Sequence, residues 1–316
     1  MVGVTAPGRG RMVRQVRVLV AGGTGALGVP VARVLQRAGH EVVGTSRRPG
    51  VRARQDAEWR TVGMDLLDPT SVDQVMAAVK PDAVVHAATA LPTGGPRRWS
   101  MVSATNALRD RGTGVLVAAA RTHGVRRLVA QSFVGGYPRV EDPAVRLGED
   151  APFGQPAGSH GQRQVNAALR ALEEQTLSGH VDGVVLRFGF FYGDPATTEA
   201  LQAALRRRRL PLPGGAPGVV SFVHVRDAAR AVLLALEAGP AGATFNVADP
   251  EPRPFGDYLR DMAARIGAPS PLSVPVPVAR LVAPAVVEFV CRHRPMDTTR
   301  ARTGLGWSPG GAGADV

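Results

Sequence analysis

A glycine pattern between a strand-like run and a helix-like run constrains this chain most. The β-branched run Val16 to Val20 precedes AGGTGALG, and VPVARVLQRAGH then repeats apolar residues at helical spacing. A turn of this kind lets the backbone approach a pyrophosphate, and the helix N-terminus offers N–H donors to the phosphates. The sequence therefore predicts a dinucleotide phosphate loop. The loop residues expected at the cofactor are Gly22, Thr24, Gly25, Ala26, Leu27 and Gly28.

Strand-like and helix-like segments alternate through roughly the first 190 residues, which is about the length of one domain. Further strands are predicted at Glu41–Ser46, Ala83–Ala88, Arg127–Ser132 and Gly183–Gly189, and helices at Val72–Val79, Gly114–His123 and Asn166–Thr176. Alternation of this kind is typical of a parallel sheet covered on both faces. We therefore predict an α/β fold, a Rossmann-type doubly wound parallel sheet with a smaller C-terminal substrate lobe.

Composition shifts divide the chain into three predicted parts. Residues 1–14 carry Arg, Gly and Pro and are expected to form a disordered N-terminal extension. Residues 15–192 form the predicted Rossmann domain, and residues 193–316, richer in Pro and Gly, form mainly the substrate-binding lobe. Within that lobe, residues 219–239 are expected to return to the Rossmann sheet, because an apolar strand there leads directly into an amphipathic helix.

Charge and cysteine content limit the kinds of ligand and partner that the protein is expected to bind. The net charge of +12 would ordinarily suggest nucleic acid, but Lys80 is the only Lys, and the many Arg residues are scattered along the chain. Cys291 is the only cysteine, which excludes an internal disulfide and a cysteine-cluster metal site. No apolar run approaches the roughly 18 residues of a membrane span. We expect a cytoplasmic protein that binds a small-molecule substrate and no metal, nucleic acid or membrane, with a homodimer as a possible assembly.

The end of the second predicted strand indicates which dinucleotide is bound. NAD-selective folds place an acid there for the ribose 2′-hydroxyl, whereas a 2′-phosphate favours Arg without a carboxylate. This chain has Ser46 at the acid's place, followed by Arg47 and Arg48. NADP(H) is therefore predicted to bind in preference to NAD(H). Asp65, after a third short strand, is placed to accept a hydrogen bond from the adenine amino group.

Several motifs together resemble one family. They are GGTGALG at Gly22, DLLD at Asp65, VVHAAT at Val84, LRFGFFYG ending at Gly193, SFVHVRDAARA at Ser221 and DTTRARTGLGW ending at Trp307. The chain resembles the extended or atypical short-chain dehydrogenases/reductases, of the NAD(P)-dependent epimerase/dehydratase type. The resemblance implies further cofactor contacts at Leu66, Ala87, Ala88, Thr89 and Phe188.

The family's catalytic pair is missing from this chain. Such enzymes use Tyr-x-x-x-Lys, in which the Lys lowers the Tyr pKa, together with a Ser that polarises the substrate carbonyl. By the family's spacing, the Tyr position falls on His160, the Lys position on Gln164 and the Ser position on Phe133, one residue from Ser132. The family's helix Asn falls on Arg109, although Asn106 lies one turn earlier.

Three interpretations of the missing pair remain open. His160 transfers the proton, since an imidazole titrates near neutrality; or Tyr137 or Tyr192 is the acid, with Ser132 as carbonyl partner; or the chain binds dinucleotide without redox chemistry. The first two describe an NADP(H)-dependent oxidoreductase acting on a carbonyl or alcohol carbon. The third describes a regulator.

The substrate side departs from the nucleotide-sugar pattern as well. Val220 stands where the family's epimerases carry an Arg for the diphosphate, and Arg292 or Arg294 is the candidate for a second such Arg. A non-nucleotide substrate is therefore favoured over a nucleotide-sugar epimerase, dehydratase or ketoreductase reaction. The aromatic residues expected to line its pocket are Phe153, Phe190, Phe191 and Phe222.

Overall fold

The computed structural model of the protein describes residues 15–47 and 59–310. Its strands are β1 (Arg17–Ala21), β2 (Glu41–Ser46), β3 (Arg60–Gly63), β4 (Ala83–His86), β5 (Arg127–Phe133), β6 (Asp182–Phe188), β7 (Phe190–Tyr192), β8 (Leu212–Pro213), β9 (Val219–Val220), β10 (Phe222–His224), β11 (Ala243–Val247), β12 (Arg253–Pro254) and β13 (Ser273–Val274). Seven of them form one sheet in the order β11-β6-β5-β4-β1-β2-β3. All neighbouring pairs in that sheet are parallel. The predicted doubly wound α/β fold is thus confirmed.

Helices lie on both faces of this sheet and in the smaller lobe. They are α1 (Gly28–Arg37), α2 (Pro69–Val79), α3 (Ser103–Ala107), α4 (Thr113–Thr122), α5 (His160–Thr176), α6 (Pro195–Arg206), α7 (Val225–Ala238), α8 (Phe255–Arg265), α9 (Val276–Val282), α10 (Pro284–Val290) and α11 (Thr299–Leu305). Successive residues of β1 point to opposite faces. Val18 and Val20 join the core under α1 and α7, whereas Leu19 joins the core under α2 and α4. This explains why the strand is apolar throughout.

After Tyr192, the strand that joins the main sheet is not the one predicted. β10, expected to return to the main sheet, instead forms a two-stranded pair with β7. The helix that follows it, α7, does pack against α1 and the sheet. β11, which the sequence did not indicate, is the edge strand beside β6. Trp307 is fully buried in the core under α7, where its Nε1 donates to the Asp227 carbonyl at 2.9 Å.

The remaining C-terminal elements form the smaller lobe. β9 pairs with β12 and β8 pairs with β13, both outside the main sheet. α6 packs against α8, and α9 packs against α10. The predicted N-terminal extension, residues 1–14, and Arg48 lie outside the described residues. Among the residues that are described, no helix is long and apolar enough to cross a membrane.

Candidate cofactor and substrate site

A cleft of about 1480 Å³ opens at the carboxyl ends of β1, β2 and β4. The sheet order reverses there, with β1 lying between β2 and β4. Open α/β sheets bind their ligands at such a switch point. Of the residues predicted at the cofactor, the cleft is lined by Gly22, Thr24, Gly25, Ala26, Leu27, Ser46, Arg47, Leu66, Ala87, Ala88 and Thr89.

The loop between β1 and α1 has the geometry of a phosphate cradle. Gly22 has φ +88°, and a Cβ on Gly28 would lie 2.0 Å from the Gly22 carbonyl oxygen, so both positions need glycine. Within residues 15–47 and 59–310, the amides of Thr24, Ala26 and Leu27 find no protein acceptor. Their N–H groups lie beside the first turn of α1, where the helix dipole favours an anion. These residues fit a dinucleotide pyrophosphate.

The wall after β2 differs from the prediction in one respect. Ser46 and Arg47 line the cleft as expected, and Arg33 and Arg37 of α1 add positive charge to its wall that sequence reasoning missed. Asp65 does not line the cleft. Its Oδ1 accepts from the Leu67 amide at 3.0 Å, and its contact with the adenine stays a prediction.

Ser132 and Tyr137 belong to a buried polar network. Ser132 Oγ donates to Glu173 Oε1 at 2.5 Å, and Arg187 donates to the same carboxylate at 2.7 Å. Arg187 also donates to the Tyr137 hydroxyl at 2.8 Å, and that hydroxyl donates to Asn246 Oδ1 at 2.8 Å. The network thus joins β5, β6, β11 and α5.

Neither hydroxyl lines the cleft. Tyr137 is 1% exposed, and burial is the main cause that raises its pKa to about 12. The Ser132 hydroxyl is already committed to a carboxylate that holds Arg187. This placement does not support the proton-donor role predicted for Tyr137 or the carbonyl role predicted for Ser132, since both groups serve to hold elements together.

His160 and Tyr192 lie in more open surroundings. His160 is the exposed first residue of α5, which the Ser159 side chain caps. Tyr192 is half-buried, and its hydroxyl donates to the Asp249 carboxylate. Burial, followed by the charge of Asp249, raises the pKa of Tyr192 well above its ordinary value. Tyr192 therefore remains protonated at neutral pH.

An aromatic ring occupies one of the family's three catalytic positions. Phe133, at the Ser position, packs edge-on against Phe190 at 5.3 Å and Phe289 at 5.8 Å between ring centroids. Trp99 packs over Gly161, where a Cβ would lie 2.0 Å from Trp99 Cγ. At the Ser position, an apolar ring thus stands where the family has a hydroxyl.

Of the four Phe residues predicted to line a substrate pocket, only Phe191 lines the cleft. Phe153 stacks against the Arg187 guanidinium at 3.8 Å and so belongs to the buried network. Phe190 and Phe222 pack with Phe255 and Tyr258 between β7, β10 and α8. Phe188, predicted at the cofactor, lies in the core behind Phe191, 5.3 Å away between ring centroids.

Of the positions predicted to hold a nucleotide diphosphate, Val220 is apolar and Arg294 is already paired, whereas the buried Arg292 Nε has no hydrogen-bond partner among the described residues. Val220 is fully buried. Arg294 is 4% exposed, donates to Glu288 Oε1 at 2.7 Å and also donates to the Tyr137 carbonyl. Among the described residues, no group of three or more His, Cys, Asp or Glu side chains is arranged to hold a metal.

Known proteins with this fold and sequence fall into one group. Residues 18–248 match the model of the NAD dependent epimerase/dehydratase family. A 3-diazoavenalumate denitrifying reductase from a Streptomyces species is 38% identical over 93% of this chain and 96% of its own length. A 2-alkyl-3-oxoalkanoate reductase from Stenotrophomonas maltophilia is 30% identical over 80% and 76%.

Solved structures show the same fold at lower identity. UDP-glucose 4-epimerase from Thermus thermophilus, in complex with NAD, superposes with a TM-score of 0.74 at 24% identity over 93% of this chain and 94% of its own. A dTDP-glucose 4,6-dehydratase from Streptomyces venezuelae, with NAD bound, reaches 0.76 at 22% identity over 95% and 94%. The family model covers most of the chain, and the fold and phosphate loop agree with it, so this protein belongs to the NAD dependent epimerase/dehydratase family of extended short-chain oxidoreductases.

Proposed function

We propose that this protein is an NADP(H)-dependent reductase that delivers hydride to a small, non-nucleotide substrate at a carbon whose reduction needs no proton from the protein. The observation that carries this proposal is the loss of all three catalytic groups of the family at once. The Tyr position holds the exposed His160, the Lys position holds the exposed Gln164, and the Ser position holds Phe133 in an aromatic cluster.

Two substrate classes differ in whether the protein must supply a proton during reduction. Reduction of a ketone places negative charge on oxygen, and the enzyme must supply a proton there. A bound nicotinamide supplies hydride, and at a carbon bearing a diazonium group the nitrogen leaves as N₂, so no oxyanion forms. A site without the Tyr-Lys pair suits the second reaction. The 38% identical relative is named as a reductase of a diazo compound.

The preference for NADP(H) is part of the proposal. Ser46 and Arg47 line the cleft at the end of β2, and among the residues that the structure describes there, none is a carboxylate. A 2′-phosphate there avoids repulsion and gains a charge-assisted hydrogen bond from Arg47. Replacing Arg47 with Ala should weaken NADPH binding by on the order of tenfold, the scale of one such bond, and leave NADH binding unchanged. Equal affinities for both cofactors in the parent protein would contradict the preference.

Carbonyl reduction is the second candidate, and the Tyr192–Asp249 pair favours it. The Tyr192 hydroxyl is protonated and half-buried, beside Gly193, which lines the cleft. The 30% identical relative is named as a reductase of an oxoalkanoate. If Tyr192 or His160 is the acid, then Tyr192→Phe or His160→Gln should lower kcat for a ketone by about two to four orders of magnitude. Tyr258→Phe, which changes a neighbouring ring in the same way, is the matched control.

One assay distinguishes these functions. Purified protein with NADPH deuterated at the transferable position is offered benzenediazonium with a ¹⁵N label, and separately a panel of aliphatic and aromatic ketones. We expect cofactor oxidation, labelled N₂ and deuterium in the benzene product. A Gly25→Val variant corrects for direct reduction of the diazonium by NADPH in solution. Turnover of ketones alone would move the function to the second candidate, and turnover of neither class would indicate a dinucleotide-binding regulator.

A further inference from the structure

Arg109 lies buried directly after Leu108, a residue that lines the cleft. It stands in the π-helical turn Leu108–Gly112 between α3 and α4 and is 7% exposed. Turns of this type recur at functional sites. Arg109 lies on the same helix side as Thr105, four residues before it. Thr105 Oγ1 accepts from the amide of Ala90, next to the cleft residue Thr89, and Leu108 lines the cleft itself.

None of the described residues neutralises this cation. Within residues 15–47 and 59–310, the Arg109 guanidinium makes no hydrogen bond, ion pair or ring contact. Among the described residues, the two other buried arginines each pair with a carboxylate. Arg187 is held by Glu173 at 2.7 Å and Arg294 by Glu288 at 2.7 Å. Burial lowers the pKa of Arg109 to about 10, so it is still charged at neutral pH.

The neighbouring imidazole cannot serve as its partner. His86, at the end of β4, lies close enough for the Arg109 charge to help lower the pKa of His86. The His86 Nε2 donates to Thr113 Oγ1 at 3.1 Å, because that hydroxyl itself donates to the Arg109 carbonyl at 2.6 Å. His86 Nδ1 accepts from the Ala88 amide at 3.4 Å. Both ring nitrogens are therefore satisfied in the neutral form, and His86 does not pair with the Arg109 charge.

We propose that Arg109 binds the carboxylate of the substrate and so selects acids over their neutral analogues. A buried unpaired charge destabilises a fold in general, and a bound anion removes that cost. The family's helix Asn, a neutral side chain, falls on this position, so the cation is a feature of this chain's own site. The names of both reductase relatives describe carboxylate substrates, an avenalumate and an oxoalkanoate. This inference rests on the proposed reductase function and adds the substrate's charge to it.

Binding of a matched acid and amide tests the proposal without turnover. Cinnamate and cinnamamide are titrated calorimetrically into the parent protein saturated with NADP⁺. We expect cinnamate to bind about ten to one hundred times more tightly, the scale of a charge-assisted pair. Arg109→Gln should remove this difference, and Arg109→Lys should keep part of it. Arg111→Gln, which removes an exposed Arg from the same turn, should leave it unchanged.

Stability without ligand gives an independent readout. Arg109→Met removes an unpaired buried charge and keeps apolar volume, so we expect its unfolding midpoint in urea to equal or exceed the parent's. A purely structural Arg109 would lower that midpoint instead. In kinetics, Arg109→Gln should raise the KM for para-carboxybenzenediazonium about ten- to one-hundredfold at unchanged kcat, while the kinetics with benzenediazonium should be unaffected.

The outcomes separate this proposal from the reaction it rests on. Equal binding of cinnamate and cinnamamide to the parent protein, or a preference that survives Arg109→Gln, overturns the carboxylate site. Failure to reduce any diazonium, with the cinnamate preference lost in Arg109→Gln, overturns the reaction and leaves the carboxylate site standing. Should Arg109→Gln not fold, the parent's own preference and the Arg109→Met midpoint decide the question.

Discussion

Replacing Tyr137 with Phe tests whether this hydroxyl is catalytic or structural. The change removes one hydrogen bond to Asn246 Oδ1 and one from Arg187 Nη1, both at 2.8 Å. Arg187 Nη1 keeps its second acceptor, the Glu149 carbonyl at 3.0 Å, whereas the buried Asn246 oxygen is left without a donor. An unsatisfied buried acceptor costs about 1 to 3 kcal/mol, so we expect the free energy of unfolding to fall by about 2 kcal/mol.

Two measurements on the same variant decide between the roles. In urea unfolding, the free energy of unfolding should be lower, and its dependence on urea concentration should be unchanged. The kcat for reduction of the substrate by NADPH should stay within about twofold of the parent's. Tyr258→Phe is the control, because its half-buried hydroxyl has no hydrogen-bond partner within the described part of the chain. A Tyr137→Phe protein of parental stability that loses about one hundredfold or more in kcat would refute the structural reading and restore the catalytic one.

Three further predictions concern the cleft and its surroundings. Gly25→Val should abolish dinucleotide binding in a fluorescence titration and leave the protein folded, because a Cβ there meets only the Gly22 carbonyl oxygen at 3.3 Å. Gly28→Ala should instead unfold at a lower urea concentration, because its Cβ would lie 2.0 Å from the same oxygen. Ser46→Asp should reverse the cofactor preference toward NADH, and an unchanged ratio of the two affinities would place the 2′-phosphate elsewhere. Burial, the largest cause, lowers the pKa of His86 to about 4 from 6.5, so stability should fall by on the order of 3 kcal/mol as pH drops through that interval, where only the unfolded chain gains the proton. His86→Gln should remove most of this acid sensitivity in urea titrations at each pH.

Local pattern was sufficient for the elements whose own residues determine them. β2 begins and ends where the sequence placed it, and the phosphate loop was located because its glycines meet local steric demands. β11 was missed because five residues between turn-forming stretches carry little periodic pattern. β10 was recognised as a strand but assigned to the wrong sheet. Nothing within a strand's own residues specifies which strand it pairs with, since that depends on the path of the whole chain.

The polar site residues were harder to predict because their roles depend on distant partners. Ser132 and Tyr137 lie near the family's catalytic motif in sequence. Their hydroxyls nevertheless donate hydrogen bonds to Glu173 and Asn246, which come from separate elements. Likewise, an Arg in a helical segment usually indicates a solvated surface. Only the packing of the turn at Arg109 reveals that the side chain is buried without a counter-charge.

The changes at the family's catalytic positions depend on one another, so the lost activity would not return with a single residue. A phenol at His160 would lack the Lys charge that lowers its pKa, because Gln164 is neutral. A Lys at Gln164 would still leave the substrate oxygen without its Ser, since Phe133 fills that position and the neighbouring Ser132 is held by Glu173. With a cation at Arg109 in place of the family's neutral Asn, the site that we propose recognises an anionic group elsewhere on the substrate and does not stabilise an oxyanion. That combination suits a reaction in which positioning an acid beside the dinucleotide is sufficient and proton transfer by the protein is not required.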